Sequence, residues 1–198
     1  QAFDEARMLR FYFSLMARGN APELPGKAIA LYSSVRSPGG FELIEDSGRR
    51  TQHLFGDAGL SPQAQIHRQI YLRRGDVNFI CQASGSGLTA VSLTGRPMAP
   101  LLDDFAQIVG PGAQCAKSLR PEDVADSLGS RFAVLVPGAG ALCCAATDSD
   151  ENAVRLVMEK AALVETGSRI VGRPRPIRFP ECLLMHFIYM KSYSKMAK

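Results

Sequence analysis

The chain has 198 residues, 46% of them hydrophobic and 21% charged, which is the composition of an ordinary soluble globular domain and sets a disordered or fibrous protein aside. The net charge is only +4 and the basic residues are dispersed except near the C-terminus, so the sequence disfavours a nucleic-acid-binding protein outside a ribonucleoprotein setting. The longest late apolar run, residues 182–190, is too short to span a bilayer, so no transmembrane segment is predicted.

Five cysteines lie mostly inside apolar runs, and none of them forms a CxxC spacing. This pattern favours buried free thiols in a reducing compartment over a disulfide framework or a zinc site. A basic isoelectric point, a first residue other than methionine and a basic tail favour a mitochondrial or other organellar location, with the cytoplasm as the alternative. The cysteines are Cys81, Cys115, Cys143, Cys144 and Cys182.

The first third of the chain predicts one helix and a hairpin. Apolar residues in 3–18 recur at spacings of three and four, which indicates an amphipathic helix. Two apolar runs, residues 28–35 and 41–44, flank the turn sequence Ser-Pro-Gly-Gly and are expected to pair as strands. Residues 45–59 are polar and contain glycine, so an irregular connection is expected there.

A helix is predicted to begin at Ser61-Pro62, where proline suits the first turn, and to end at Gly75 after two arginines. The following stretch predicts a strand over residues 77–81 and a turn over residues 82–87. A helical patch comes next, and then a second apolar segment ending in Gly-Pro-Gly.

The last third alternates helices and strands. Residues 121–128 predict a short helix, and residues 132–136 and 141–145 predict strands around a Pro-Gly-Ala-Gly turn. A capping-box pattern at residues 148–151 begins a long amphipathic helix. Together these elements predict an α/β fold with α+β character, in which helices flank a central, mostly antiparallel sheet.

Five short motifs occur in order along the chain, and in that order they resemble the class II aldolase/adducin family. This family comprises zinc-dependent aldolases and epimerases of sugar phosphates together with adducin head domains. The resemblance implies a single domain of that type over residues 1–166, followed by a basic, proline-containing extension over residues 167–198. The motifs are Ser34-Val35-Arg36 ahead of Gly39-Gly40, Ser47-Gly48, His67-x-x-Ile70-Tyr71, Asp76-Val77-Asn78, and the stretch from Gly95-Arg96-Pro97 to Ala106.

The resemblance also implies a metal site, and this chain departs from it. In catalytic members the strand after Asp-Val-Asn ends in His-x-His, and both imidazoles bind zinc. The matching positions here are Gln82 and Ser84. An amide and a hydroxyl are poor zinc ligands beside imidazole, thiolate or carboxylate.

Three further positions implied by the family are altered as well. The third zinc ligand comes from a His-Gly pair, which corresponds to Ala139-Gly140 in this chain. The family's acid/base glutamate corresponds to Gln63, which cannot exchange a proton near neutral pH. An asparagine that helps to hold the substrate phosphate corresponds to Tyr32. We therefore expect no catalytic residue, no metal site and no cofactor, the degenerate positions being Gln63, Gln82, Ser84 and Ala139.

The chain has only three histidines, so a three-histidine site could be rebuilt only by using every one of them. We interpret His67 as a packing residue on its helix, His53 as a loop surface residue and His186 as a core or interface residue. In the family, C-terminal tyrosines of one subunit can complete the neighbouring subunit's active site. The resemblance makes Tyr189 and Tyr193 candidates for this role, although no local motif marks either of them.

Three other patterns are better explained by structure than by chemistry. The glycines at residues 138 and 140 look like a dinucleotide fingerprint, but apolar strand-like residues follow them instead of a helix. Asp103-Asp104 and Cys143-Cys144 are adjacent pairs whose side chains point apart on a helix or strand. Neither pair is expected to form a carboxylate dyad or a metal site.

The function expected from the sequence is that of a pseudoenzyme, which acts as a structural or protein-interaction subunit of a larger assembly. Its partners are expected to be other protein subunits, and a homo-oligomer is compatible with the family. The extension 167–198 is expected either to insert into such a partner or to dock as a strand or helix on the surface of its own domain. The alternative is an active lyase or epimerase on a sugar phosphate, with a relocated or absent metal and an acid/base drawn from His67, Tyr71 or Asp104. A third interpretation is a small-molecule sensor that uses the old pocket without chemistry.

Overall fold

The computed structural model describes residues 32–37, 40–45, 50–54 and 60–196. The predicted helix over residues 3–18 and the Ser47-Gly48 turn lie outside these ranges. Within them, seven strands form one sheet in the order β3-β2-β1-β4-β7-β6-β5. The strands are β1 (Tyr32–Ser37), β2 (Gly40–Glu45), β3 (Arg50–Leu54), β4 (Phe79–Ala83), β5 (Gln114–Cys115), β6 (Ala133–Val136) and β7 (Gly140–Ala145).

All neighbouring strands of this sheet pair antiparallel except β5 and β6, which are parallel. The strands β6 and β7 are buried at every position, as expected for apolar runs covered on both faces. The fold class is thus confirmed as a mixed α/β domain with a mostly antiparallel sheet flanked by helices.

Six helices are described around the sheet. The first of them begins as predicted, because Ser61 accepts a hydrogen bond from the Ala64 amide at 3.2 Å and Pro62 occupies the first turn. The helices are α1 (Pro62–Arg73), α2 (Ser86–Ser92), α3 (Asp103–Ile108), α4 (Pro121–Leu128), α5 (Asp148–Val171) and α6 (Phe179–Met196).

The helices cover both faces of the sheet, so the domain has three layers. Alternate residues of β6 enter different cores: Val134 and Val136 pack on the side of α1 and α4, whereas Leu135 packs on the side of α2, α3 and α5. The centres of the two cores include Ile70 and Phe105, which are 1% and 0% exposed. This period-two division is the usual consequence of a pleated strand.

Two sequence predictions about strands were wrong. Residues 50–54, predicted to be irregular, form the edge strand β3, and His53 lies in this strand opposite Glu42 and not in a loop. Because the residues of this strand are mostly polar, no hydrophobic periodicity indicates it in the sequence. Polar residues suit an edge strand, since they disfavour pairing with other chains. The central strand β4 runs from Phe79 to Ala83, two residues later than predicted, so Gln82 belongs to a strand and not to a turn.

The cap of α5 lies one residue earlier than the sequence predicts, at Thr147 and not at Asp148. Its first hydrogen-bonding side chain is Thr147, whose Oγ1 accepts from the Asp150 amide at 3.2 Å. The helix then continues to Val171 without interruption across residues 166–167, where the sequence predicts the domain to end. The division between domain and extension stays a prediction.

The extension folds back onto the domain as α6, which packs against α3. Cys182 is fully buried, and the His186 ring nitrogen Nδ1 lies 2.7 Å from the Gln107 carbonyl oxygen. The amide of Ile177 donates to the carbonyl of Pro100 at 2.8 Å, which fixes the segment ahead of the helix. Over the described ranges, no helix is both long and apolar enough to cross a membrane.

Candidate functional site

A small cavity lies where α1, β4 and the turn between β6 and β7 meet. Its volume is about 60 Å³, well below the roughly 300–1,000 Å³ of a pocket that holds a drug-sized ligand. Three of the four degenerate positions named above, Gln63, Gln82 and Ala139, line it together. The complete lining is Pro62, Gln63, Ile66, His67, Gln82, Leu119, Val136, Ala139 and Leu142.

Gln82 closes one side of this cavity with a hydrogen bond. Its side-chain nitrogen Nε2 donates to the carbonyl oxygen of Ala139 at 2.9 Å, and the residue is only 7% exposed. The bond connects the end of β4 to the β6–β7 turn, two segments that neighbour each other because β4 and β7 pair antiparallel. Gln82 therefore has a structural partner at the position where the family resemblance implies a zinc ligand.

Ser84 lies beside the cavity but does not line it. Its backbone contacts Gly140, which has a φ of +87°. A Cβ atom at Gly140 would lie 2.1 Å from the Ala83 carbonyl oxygen and 3.0 Å from the Ser84 Cα. Only glycine permits this close approach, which brings Ala139 next to the end of β4.

The side chains around the cavity do not fit a zinc ion. Gln63 and Gln82 are amides and Ala139 has no donor atom, whereas zinc in proteins takes imidazole, thiolate or carboxylate ligands. Across the described ranges, no three His, Cys, Asp or Glu side chains converge in a way that could hold a metal ion.

His67 is the titratable side chain of the cavity, and it is 1% exposed. Its Nδ1 is hydrogen-bonded to Ser34 Oγ at 2.7 Å, while its Nε2 is buried without a partner among the described residues. Burial lowers the pKa of His67 from 6.5 to about 4. The imidazole is thus neutral at physiological pH and anchored on one side only.

The hydrogen bond of His67 continues into a buried polar network. The Tyr71 hydroxyl lies 2.9 Å from Ser34 Oγ and donates to the Ser34 carbonyl at 2.9 Å. Burial raises the pKa of Tyr71, a shift that its hydrogen bond with Ser34 and the nearby Arg36 charge only partly offset. Tyr71 therefore stays protonated in any ordinary pH range, and its hydroxyl serves as a hydrogen-bond donor.

Arg36 supports this network, and its role could not be predicted from the sequence. Its guanidinium donates to the carbonyl oxygens of Val77, Tyr71 and Arg74 at 2.7–3.0 Å. It also stacks over the Tyr71 ring, 4.9 Å from the ring centroid. The Ser-Val-Arg motif thus joins β1 to α1 and to the loop before β4. The signal in the sequence is the motif itself, which does not reveal which carbonyls the arginine binds.

The other candidate residues lie away from the cavity lining. Asp104 forms an ion pair with Lys160 at 2.5 Å, and its carboxylate also accepts from the Phe105 amide at 2.9 Å. Asp103 is the exposed first residue of α3. The structure therefore does not bring either of these aspartates to the cavity.

The cysteines of the central strands are buried thiols. Cys81 and Cys143 are partners in the register of β4 and β7, and the Cys81 thiol also contacts the Glu151 carboxylate. Hydrogen bonding with Cys143 and burial raise the pKa of Cys81. Burial raises the pKa of Cys144 to about 12. None of the five cysteines, all of which lie in the described ranges, forms a disulfide.

Comparison with known proteins identifies the architecture. Residues 34–166 match the family model described as Class II Aldolase and Adducin N-terminal domain. No curated protein matches the chain at a significant level.

Among solved structures, the chain superposes on an L-fuculose 1-phosphate aldolase with a TM-score of 0.67 at 16% identity, covering 96% of this chain and 97% of that one. The L-fuculose 1-phosphate aldolase from Glaciozyma antarctica gives a TM-score of 0.61 at 18% identity, with coverages of 96% and 85%. The l-fuculose-1-phosphate aldolase from Thermus thermophilus gives 0.58 at 20% identity, with coverages of 85% and 96%. At these identities the likeness is one of fold.

Proposed function

Because the chain belongs to the class II aldolase and adducin N-terminal domain family, we propose that it is a non-catalytic member of that family. In this proposal it serves as a structural or protein-interaction subunit of a larger assembly. The observation that carries the proposal is the cavity lining, where Gln63, Gln82 and Ala139 meet in place of a metal-binding and proton-exchanging set.

The chemistry of these side chains supports an inert site. A retro-aldol or epimerase reaction needs a group that exchanges a proton with substrate and a group that stabilises the resulting anion. Amide side chains do not exchange protons near neutral pH, and the Gln82 amide already donates to Ala139. No Lys or Arg is among the lining residues, so a phosphate group would find no countercharge there.

One observation favours the alternative of an active lyase or epimerase. His67 lines the cavity and has an unpartnered Nε2, which is what a general base in an unliganded enzyme would offer. Its pKa of about 4 and its 1% exposure argue for a packing role, because a catalytic base works best with a pKa near the operating pH. We therefore place this alternative second.

The proposal also covers the partners of the chain and its location in the cell. The assembly would contain other protein subunits reached through residues 167–198, or further copies of this chain, within a mitochondrion or another organelle. An arginine-rich stretch, residues 173–178, has no regular secondary structure and is largely exposed ahead of α6. Arginine is enriched at protein interfaces, so this exposed stretch supports a contact with another protein subunit.

Zinc analysis tests the inert site. We expect the purified wild-type chain to contain no stoichiometric zinc and to show no retro-aldol turnover of ketose phosphates. A fourfold variant, Gln63→Glu with Gln82→His, Ser84→His and Ala139→His, restores the donor set implied by the family. We expect it to bind one zinc ion per chain, whereas the single Ala139→His variant serves as a control with one added imidazole.

Several results would count against the inert site or against the subunit role. Zinc bound by the wild type at Gln82 and Ser84, or turnover that His67→Ala abolishes, would overturn the proposal. A fourfold variant that is folded by circular dichroism and still free of zinc would show that these positions do not correspond to a metal site. For the assembly, a native extract in which the chain sediments alone as a monomer would count against a subunit role.

A further inference from the structure

The cavity between α1, β4 and the β6–β7 turn has an exposed mouth and a buried floor. At the mouth, Pro62 and Leu119 are exposed and Gln63 is half-buried. A small molecule can therefore enter past Leu119 and be enclosed by the floor. The floor residues are Ile66, His67, Gln82, Val136, Ala139 and Leu142, and all six are buried.

The size of the cavity limits what it can hold. Its volume of about 60 Å³ lies well above the roughly 10–15 Å³ that one water molecule requires. It lies well below the roughly 150 Å³ of a cavity that takes up benzene. The space therefore suits a molecule of about two to four non-hydrogen atoms, and it is too small for a sugar phosphate.

The lining selects an uncharged molecule with an apolar body. Four of the six floor residues are aliphatic, and none of the lining residues that the structure describes is Asp, Glu, Lys or Arg. The Gln82 amide nitrogen already donates to the Ala139 carbonyl oxygen at 2.9 Å. A charged molecule would lose its hydration in this cavity and gain no countercharge, which is costly.

One polar atom of the floor remains for a bound molecule. Nε2 of His67 is buried without a hydrogen-bond partner in the described part of the chain. The opposite ring nitrogen, Nδ1, is bonded to Ser34, which does not line the cavity. The edge of the ring that carries Nε2 is therefore the edge on the cavity side. Because an unpaired buried acceptor is costly, a molecule that pairs with it is favoured.

The hydrogen bonds behind His67 determine that Nε2 accepts. The Tyr71 hydroxyl gives its hydrogen to the Ser34 carbonyl oxygen at 2.9 Å, so the 2.9 Å contact between the two hydroxyls uses the hydrogen of Ser34. Nδ1 of His67 must then donate to Ser34 Oγ at 2.7 Å, which leaves Nε2 with a lone pair. Burial holds the pKa of His67 at about 4, so this lone pair is available at neutral pH.

We propose that the cavity binds a small uncharged molecule that donates a hydrogen bond to His67 Nε2 through an O–H or N–H group. Short alcohols and primary amides belong to this class. The apolar part of such a molecule would contact Ile66, Val136 and Leu142, where it replaces contact with water. This inference rests on the proposed function, because it requires a cavity that holds no metal.

The probes 2-propanol and acetone test the requirement for a donor. They share one carbon skeleton and are nearly equal in size, but only 2-propanol donates a hydrogen bond. In the full-length chain labelled with ¹⁵N, the imidazole resonances report on Nε2 directly. We expect 2-propanol to shift the His67 Nε2 resonance in a saturable way, and to bind about tenfold more tightly than acetone.

Two variants assign this binding to the cavity. Leu119→Trp narrows the mouth without altering the floor, and we expect it to weaken 2-propanol binding by about tenfold, since access and space are lost. Its control is Leu72→Trp at the other end of α1, because the two leucines are 55% and 65% exposed. His67→Phe keeps the ring and removes the acceptor, so we expect it to bind the two probes equally. Circular dichroism checks that each variant is folded.

The inference would be wrong if the Nε2 resonance of the free chain were that of a protonated nitrogen. Equal affinities of the wild type for 2-propanol and acetone, or shifts that do not saturate, would also overturn it. So would equal binding of 2-propanol by Leu119→Trp and Leu72→Trp. Stoichiometric zinc in the wild type would overturn the proposed function and this inference together. A zinc-free chain that does not discriminate between the probes would overturn this inference alone.

Discussion

His67 is a neutral imidazole held inside the domain, and it gives stability a dependence on pH. Its pKa in the folded chain is about 4, against 6.5 for an imidazole in water. Between these two values the unfolded state binds a proton that the folded state does not, so the free energy of unfolding falls as the pH decreases from 6.5 to 4. Above pH 6.5 the residue contributes no dependence. The full difference corresponds to about 3 kcal/mol.

We therefore expect urea denaturation to show a loss of up to about 3 kcal/mol between pH 6.5 and pH 4 that is specific to His67. The comparison is with His67→Gln, which cannot titrate and leaves all carboxylates in place. The difference between the two pH profiles isolates the histidine from the other groups. Parallel profiles over this range would show that His67 is already charged in the folded domain.

The residue types at the cavity could be predicted from the sequence, but their contacts could not. That Gln63, Gln82 and Ala139 meet follows from the family resemblance, and the structure places all three on one cavity. The hydrogen bond from Gln82 to Ala139 depends on a rotamer, and the Ser34 contact of His67 depends on how β1 lies against α1. Such contacts between segments distant in sequence leave no local signal.

At the scale of elements, Gly140 at the end of the β6–β7 turn allows β7 to lie close to the end of β4. Gly138 and Gly140 both have positive φ, at +72° and +87°. A Cβ at Gly140 would collide with the Ala83 carbonyl at 2.1 Å, whereas one at Gly138 would meet nothing closer than a Leu93 methyl at 3.6 Å. An alanine at either position would therefore be forced into a left-handed backbone conformation. Only at Gly140 would its Cβ also collide with backbone atoms.

We expect Gly138→Ala to lower the free energy of unfolding by about 1–2 kcal/mol, which is the cost of a left-handed conformation for a residue with a Cβ. Gly140→Ala is expected to cost several kcal/mol more or to prevent folding, because backbone atoms must move. Chemical denaturation of both variants measures the difference. Equal losses would mean that β4 and the turn can separate without penalty.

The strands show where periodicity succeeds and where it fails. The apolar runs that form β6 and β7 are predicted within one residue of their observed bounds, because burial on both faces leaves a continuous hydrophobic signal. The strand β3 escapes prediction because an edge strand of Arg-Thr-Gln-His-Leu has no apolar face to detect. Its place is fixed by backbone pairing with β2, which any sequence can provide.

At the scale of the whole molecule, the helix α6 of the extension 167–198 covers part of the surface of the domain. The helix α6 shields α3, and its Cys182 thiol lies 3.8 Å from the Ala106 carbonyl oxygen. A chain ending at Gly172 would lose the contacts of Cys182 with Ala106 and of His186 with Gln107 and Phe132. The extension is therefore part of the cover of the domain and not a free tail.

We expect the chain truncated after Gly172 to fold with a melting temperature several degrees below that of the 198-residue chain. The loss of a few apolar contacts lowers the free energy of unfolding by about 1–3 kcal/mol. For a domain of this size, a loss of about 1 kcal/mol lowers the melting temperature by roughly 2–4 °C. Differential scanning calorimetry provides the measurement. An unchanged midpoint would show that residues 1–172 are stable independently of α6.

The position of β4 at the centre of the sheet has a consequence for how the chain folds. Its neighbours are β1 on one side and β7 on the other, and both are distant from it in sequence. The β1–β2–β3 meander and the β6–β7 hairpin can each form locally, but they join only when β4 enters between them. Because closing such long loops is entropically costly, formation of β4 is expected to limit the folding rate.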